Sequence, residues 1–179
     1  MVPTTEQKLR SVRHTIAATV LPAIGADERF AKEQAGLVLA TLDWILDVQA
    51  SEYRYEVVEH GDATALVHDL AALGDAATGT THGTDAEPAP VLPTDLAELR
   101  ALVLAAKQEA EERFSALLGT DRADEAWAVM SAAAKRQSAR EVAAARMTGF
   151  PTSPSSLAEV LADQERDLDR RQAEQEGAR

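Results

Sequence analysis

Cysteine does not occur in this chain. Its absence removes disulfides, thiolate metal ligands and cysteine nucleophiles together, and leaves the redox compartment open. Aromatic residues make up only 4% of the 179 residues, so a core must be built from alanine and aliphatic side chains. Helices of that kind approach closely, yet each contact buries little apolar surface. No uninterrupted apolar run approaches the roughly 18 residues that a membrane-spanning helix needs. A Gly-x-Ser-x-Gly nucleophile turn, a phosphate-cradling glycine loop and a dinucleotide fingerprint are all missing. Basic residues number 18 against 30 acidic ones, for a formal net charge of −12. Phosphate backbones and anionic lipid repel such a chain, which argues against nucleic acid and membrane partners.

What is present is helical grammar. Leu9, Val12, Ile16 and Val20 recur at steps of three and four, so "TIAATVLPAIGA" reads as part of an amphipathic helix from about Thr5 to Leu21 rather than as an export signal. Pro22 and Gly25 punctuate its end. Asp27 is placed to cap a second, central helix. Its stripe is Phe30, Leu37, Trp44 and Val48, with Gln34 and Thr41 between them and Val38, Leu42, Ile45 and Leu46 widening the apolar face. Read as continuous to His60, it would be about 50 Å long. Gly61 is the expected stop, and Asp62 the expected cap of a shorter helix bearing Leu66, Leu70 and Leu73.

Residues 74–93, "GDAATGTTHGTDAEPAPVLP", have almost no large apolar side chains and read as a linker. Thr94 is the expected cap of a helix with Leu96, Leu99, Val103, Ala106, Ala110, Phe114 and Leu117 on one face, ended by Gly119. A further helix from Asp121 carries Trp127, Met130 and Ala134 and closes at Gly149 and Pro151. Ser156 and Glu159 have capping-box spacing ahead of Leu157, Val160, Leu161 and Leu168, and the chain should fray after about residue 170. The pattern predicts an all-α fold, an antiparallel four-helix bundle with short accessory helices. A helical hairpin plus short helix spans 1–73 and a flexible linker 74–93. A second helical pair over 94–162 completes the bundle, and a charged tail covers 163–179. Because the linker offers no apolar surface to bury, replacing it with a Gly/Ser segment of about half the length should cost little stability.

Two clusters could carry chemistry. In "SEYRYEVVEHGD" (51–62), Glu52, Glu56 and His60 follow at helical steps. Extending the Trp44–Val48 stripe brings Glu52, Tyr55 and Glu59 toward the core, where ionised carboxylates need a counter-charge, a proton or a metal. A slight rotation at "QAS" (49–51) instead turns Ser51, Tyr55 and Val58 inward and all three glutamates into water, and this solvated helix end is the favoured reading. A ligand pocket near Trp44, Glu52, Tyr55 and Glu59 is the alternative. No histidine has a glutamate three residues before it, and no His-x-x-x-His pair or His-Glu-x-x-His motif occurs, so neither a di-iron nor a zinc site is expected. His14 should face solvent. The second cluster is Lys135, Arg136, Arg140 and Arg146, in which Arg136 and Arg140 lie one turn apart and could hold an anion together. Salt bridges to Glu141 or to another helix are the more ordinary use of such a stripe. Both tryptophans are expected to pack helices together.

The stretch "LRSVRHTIAATVLPAIGADERFAKEQAGLVLATLDWILDVQ" (9–49), with "VLPAI" closing one helix, "RF" opening the next and "EQAGLVLATLDWI" within it, resembles the start of a small helical bacterial family of unknown function. Its members tend to be encoded beside aminoglycoside-phosphotransferase-like proteins and acyl-CoA dehydrogenases. The resemblance covers about the first 70 residues and carries no catalytic residues with it. It implies an accessory or partner-binding role in the cytoplasm. Together these readings predict an acidic, non-catalytic helical module that binds a protein partner or forms a homo-oligomer, with no cofactor and no metal. The alternative is a small-molecule-binding or enzymatic bundle with its pocket near Trp44, Glu52, Tyr55 and Glu59.

Overall fold

A computed structural model describes residues 2–78, 91–145 and 155–177. Among these the chain is all-α, without a strand, and no helix is long and apolar enough to cross a membrane. The main helices are α1 (Thr5–Thr15), α2 (Arg29–Val48), α3 (Glu52–Thr78), α4 (Leu96–Leu117), α5 (Ala123–Ala145) and α6 (Leu157–Gly177). The chain divides into two compact units. One is Met1–Glu52 with Val142–Leu157, the other Tyr53–Glu141 with Ala158–Arg179.

In the first unit, α1 opens on a capping box. The Thr4 hydroxyl accepts from the Gln7 N–H at 3.2 Å, and the Gln7 side-chain oxygen accepts from the Thr4 N–H at 3.0 Å. Pro22 has no N–H to give the carbonyl four residues back. The helix beyond Thr15 widens into a π segment, Ile16–Val20, in which the Leu21 N–H reaches Ile16, before a last turn at Leu21–Ala23. Pro22 therefore lies inside the final turn rather than beyond it. At the start of α2 the cap position is Glu28, without a side-chain cap bond, and not Asp27. Arg13 ties α1 to α2 through both its Nε and its Nη2, the latter 3.0 Å from Asp43 Oδ2.

The stripe expected to form the core of α2 is covered at one end only. Trp44 is half-buried and its Nε1–H donates to the Ala144 carbonyl at 2.7 Å. Phe30 and Leu37, expected inside, are 74% and 61% exposed, and Leu42 is the one buried residue of the helix. The apolar face of α2 is wider than its neighbours in this unit can cover, and the edge around Leu42 takes the contact.

A 3-10 turn at Gln49–Ser51 interrupts the expected long helix, and α3 then runs unbroken to Thr78. Gly61 does not stop it. A Cβ added there would meet Leu168 Cδ1 at 3.1 Å, so the missing side chain lets α6 lie close against α3. Residues 74–78 of the expected linker belong to α3, while 79–90 lie outside the described residues, as do Arg146, Gly149 and Pro151. The cap of α4 is Asp95, not Thr94, its carboxylate accepting from the N–H groups of Ala97 and Glu98. Helix α6 continues to Gly177, past the point where fraying was expected.

The second unit packs Leu70, Ala110, Leu117 and Ala126 together, with Leu66, Leu73, Phe114 and Met130 against them. The α4 face is the one read from the sequence, with Leu99, Val103, Ala110 and Leu117 buried. On α5 the inward face is set one residue away from the expected one. Ala126 and Ala133 are buried, whereas Trp127 is 55% exposed and meets Phe114 edge-on, ring centroids 4.9 Å apart.

The pairings fix the helix directions within this unit. From α3 to α4 they run Tyr53–Pro93, Glu56–Arg100 and Glu59–Lys107, rising together, so these neighbours point the same way rather than antiparallel. From α3 to α5 they run Glu59–Arg140, Asp62–Arg136 and Leu70–Ala126, so α5 points the opposite way. From α3 to α6 they run Arg54–Glu165 and Gly61–Leu168, again the same way.

Candidate functional site

The inward face of α3 carries Tyr55, Val58, Glu59, Asp62 and Ala63 at steps of three and four, so two carboxylates come with the apolar residues. Glu59 and Asp62 are 3% and 5% exposed. Between them lies the guanidinium of Arg140, the largest side chain buried almost completely. Its Nε donates to Glu59 Oε2 at 2.7 Å, its Nη1 to Gln164 Oε1 at 2.5 Å and its Nη2 to Asp62 Oδ2 at 3.2 Å. Arg136 donates to the other Asp62 oxygen at 2.6 Å, and Lys107 pairs with the other Glu59 oxygen. Gln164 returns an N–H to the Arg136 carbonyl at 3.0 Å, so it joins α5 to α6 at both of its polar atoms.

The two clusters that the sequence offered separately thus meet: Glu59 from the first and Arg136 and Arg140 from the second satisfy one another. The crevice along Val58, Asp62, Arg136, Arg140 and Gln164 has no room for a water molecule. All three nitrogens of the Arg140 guanidinium are bonded and all four carboxylate oxygens of Glu59 and Asp62 have a partner, which makes a closed polar network. The remaining residues of the suspected pocket are split: Trp44 and Glu52 belong to the first unit, Tyr55 and Glu59 to the second. Glu52 is exposed, Ser51 and Val58 are buried, and Glu56, largely buried, pairs with Arg100 at 2.9 Å. The turn at 49–51 therefore rotates the helix only far enough to expose Glu52. Burial pushes the Tyr55 hydroxyl up to about 12, with the Glu59 charge adding to it. His14 is exposed.

Asp62, expected as a helix cap, lies inside α3 and pairs with both arginines instead, while Lys107 and Gln164 have no part in the sequence reading. A signal existed for Asp62: Glu59 and Asp62 lie three apart on one apolar face, and Arg136 and Arg140 four apart on another, so each pair is the counter-charge the other lacks. Lys107 and Gln164 have no such signature.

A groove of about 400 Å³ lies on the other side of Gly61, between α3 and α6. Its floor is Val57, Val58, Ala65 and Leu168, and its rim includes His60, His68, Asp169 and Arg171. The small residues Gly61, Thr64 and Ala65 open it. Burial pushes the His60 imidazole below its ordinary value, which keeps it neutral at pH 7. At the α6 end, Arg54 donates to Glu165 at 2.5 Å and holds that carboxyl below the usual carboxylate range. Among the described residues no group of three or more acidic or histidine side chains is placed to hold a metal ion. Comparison with known proteins returned no match: no family model, curated protein or solved structure is similar to the chain.

Proposed function

We propose that the protein is a non-catalytic helical accessory module that engages a protein partner or a second copy of itself, with α3, α4, α5 and α6 forming a four-helix bundle as its rigid body. The observation that carries this reading is the uncovered apolar stretch of α2, where Phe30 and Leu37 stand largely in solvent one heptad apart, with Val38 beside them. A contiguous apolar patch left in solvent on one helix face is the kind of surface that a partner covers. The cross-helix ion pairs of α3 with α4, α5 and α6 support the bundle. The resemblance of residues 9–49 to a helical family of unknown function, which implies an accessory role in the cytoplasm, is in keeping with this reading. The net charge of −12 disfavours nucleic acid and anionic membranes as the partner.

The test is capture from a lysate of the cells the sequence comes from, with immobilised wild-type chain beside a Phe30→Glu/Leu37→Glu variant. Wild type should retain a defined protein that the variant loses. Both side chains are exposed, so helicity and melting temperature should match. Equal retention by the two chains would falsify the reading.

The groove between α3 and α6 favours a second reading, an apolar ligand site with a polar rim, since its volume falls in the range of small-molecule pockets. An apolar anion such as anilinonaphthalene sulfonate should bind there and fluoresce. Ala65→Phe, which fills the floor, should abolish that signal while Leu37→Glu leaves it. The opposite pattern would assign the dye to the α2 surface and remove the second reading.

A further inference from the structure

We infer that the open seam of α2 is a self-pairing surface, on which a second copy of this chain docks antiparallel across a two-fold axis between Gln34 and Leu37. This rests on the module reading and names the partner. The exposed positions Phe30, Gln34, Leu37 and Thr41 alternate at steps of four, three and four, the a/d register of a coiled-coil seam. In that register an antiparallel partner sets each a position against a d position. Phe30 then faces Thr41 of the other copy and Gln34 faces Leu37, at both ends alike, so the large Phe30 meets the small Thr41 and one patch is complementary to itself. A parallel partner would instead set Phe30 against Phe30 and Gln34 against Gln34.

Charge favours the same occupant. The unit that carries the seam, Met1–Glu52 with Val142–Leu157, has six Arg and Lys against seven Asp and Glu, whereas the rest of the chain has 12 against 23. Almost all of the charge of −12 therefore belongs to the other unit. A strongly basic or acidic partner finds little net opposing charge in this unit, and two copies pairing through it join the less charged of their two units. The seam is short, about 18 Å of helix from Phe30 to Thr41, and falls below the roughly 800 Å² per partner of a tight interface. The dimer is accordingly a weak, concentration-dependent one.

The absence of cysteine makes the register directly testable, because an introduced thiol is the chain's only one. Full-length Phe30→Cys and Thr41→Cys proteins are oxidised mildly, each alone and mixed, at concentrations where sedimentation velocity shows the wild-type chain dimerising. The expected result is a disulfide-linked dimer in the mixture and little in either protein alone. Cross-linking of Phe30→Cys with itself would overturn the antiparallel seam, and so would a wild-type chain that stays monomeric at the highest concentration reached. A cross-link in the mixture that persists when both proteins also carry Leu37→Glu would show chance collision, and overturn it too. A monomeric wild type whose captured protein is still lost in Phe30→Glu/Leu37→Glu removes self-pairing alone. Capture unchanged by that variant removes the module reading itself.

Discussion

Arg140 has a buried carboxylate on either side of it, and its removal tests whether the network holds the fold or merely occupies it. Arg140→Met leaves Glu59 and Asp62 without their shared partner in a dry interior, and breaking such a pair costs about 3–5 kcal/mol. Lys107 and Arg136 still reach one oxygen of each carboxylate, so the lower end, about 3 kcal/mol, is expected from urea unfolding. The triple variant Glu59→Leu/Asp62→Leu/Arg140→Met removes charge on both sides, and its stability should return to within about 1 kcal/mol of wild type or exceed it. Equal losses in the two variants would mean that the network stabilises the fold outright. Tyr55 reports on the same interior. Of the chain's two tyrosines, Tyr55 should ionise at about 12, a late step in ultraviolet absorbance that Tyr55→Phe abolishes. The neutral phenol is the form the fold prefers, so its contribution is complete below the ordinary tyrosine value and disappears as pH rises through 12. At this scale the sequence disclosed the ionisable residues and their helix faces. It could not disclose their pairing, because the partners lie 78 and 81 residues apart along the chain.

Elements were legible wherever apolar periodicity was strong, as on α4, and illegible where tertiary packing overrode a local signal. Gly61 reads as a stop because glycine costs a helix interior about 1 kcal/mol relative to alanine. In the folded chain α3 runs through it, and Leu168 of α6 packs where its side chain would be. Gly61→Ala tests that balance. The Cβ would sit 3.1 Å from Leu168 Cδ1, the far end of a half-buried side chain that can turn toward the groove. A net gain of less than about 1 kcal/mol is expected. Gly61→Val should lose stability, since a branched side chain leaves Leu168 nowhere to go; a stabilised Gly61→Val would refute the close-approach account. The clasp of α6 on α3 adds a pH dependence. Arg54 lowers the Glu165 carboxyl, so the pair contributes above the unfolded carboxylate value and is lost as pH falls through the folded one. Both side chains are more than a third exposed, so the effect is small. Arg54→Gln should flatten the acid side of the stability profile and leave neutral pH nearly unchanged; an acid limb that keeps its slope would assign it to other carboxylates.

The direction of α4 governs the whole second unit and sets the distance that the connection before it has to span. Because α4 runs parallel to α3, Pro93, whose carbonyl accepts from the Tyr53 hydroxyl at 2.9 Å, lies at the opposite end of α3 from Thr78. The stretch of α3 from Tyr53 to Thr78 is about 38 Å long at 1.5 Å per residue. A fully extended chain covers about 3.5 Å per residue, so roughly 11 steps are the minimum. The sequence provides fifteen steps from Thr78 to Pro93, which leaves a margin of about four. Composition identified this connection as poor in apolar residues and therefore cheap to alter, but reach is set by topology, and no local pattern states which way the next helix will point. Replacing residues 79–92 with a Gly/Ser segment shorter by two or three should change the melting temperature little, because loop-closure cost varies only with the logarithm of length. Replacing them with seven residues gives about 28 Å of reach, too little to seat α4 beside its own α3. That chain should either lose its cooperative melt or seat α4, α5 and α6 on the α3 of a second copy, as a swapped dimer. Light scattering separates the outcomes, and the swapped dimer should persist in a Leu37→Glu background, where α2 self-pairing is removed. A seven-residue chain that melts as a stable monomer would show that α4 does not lie parallel to α3.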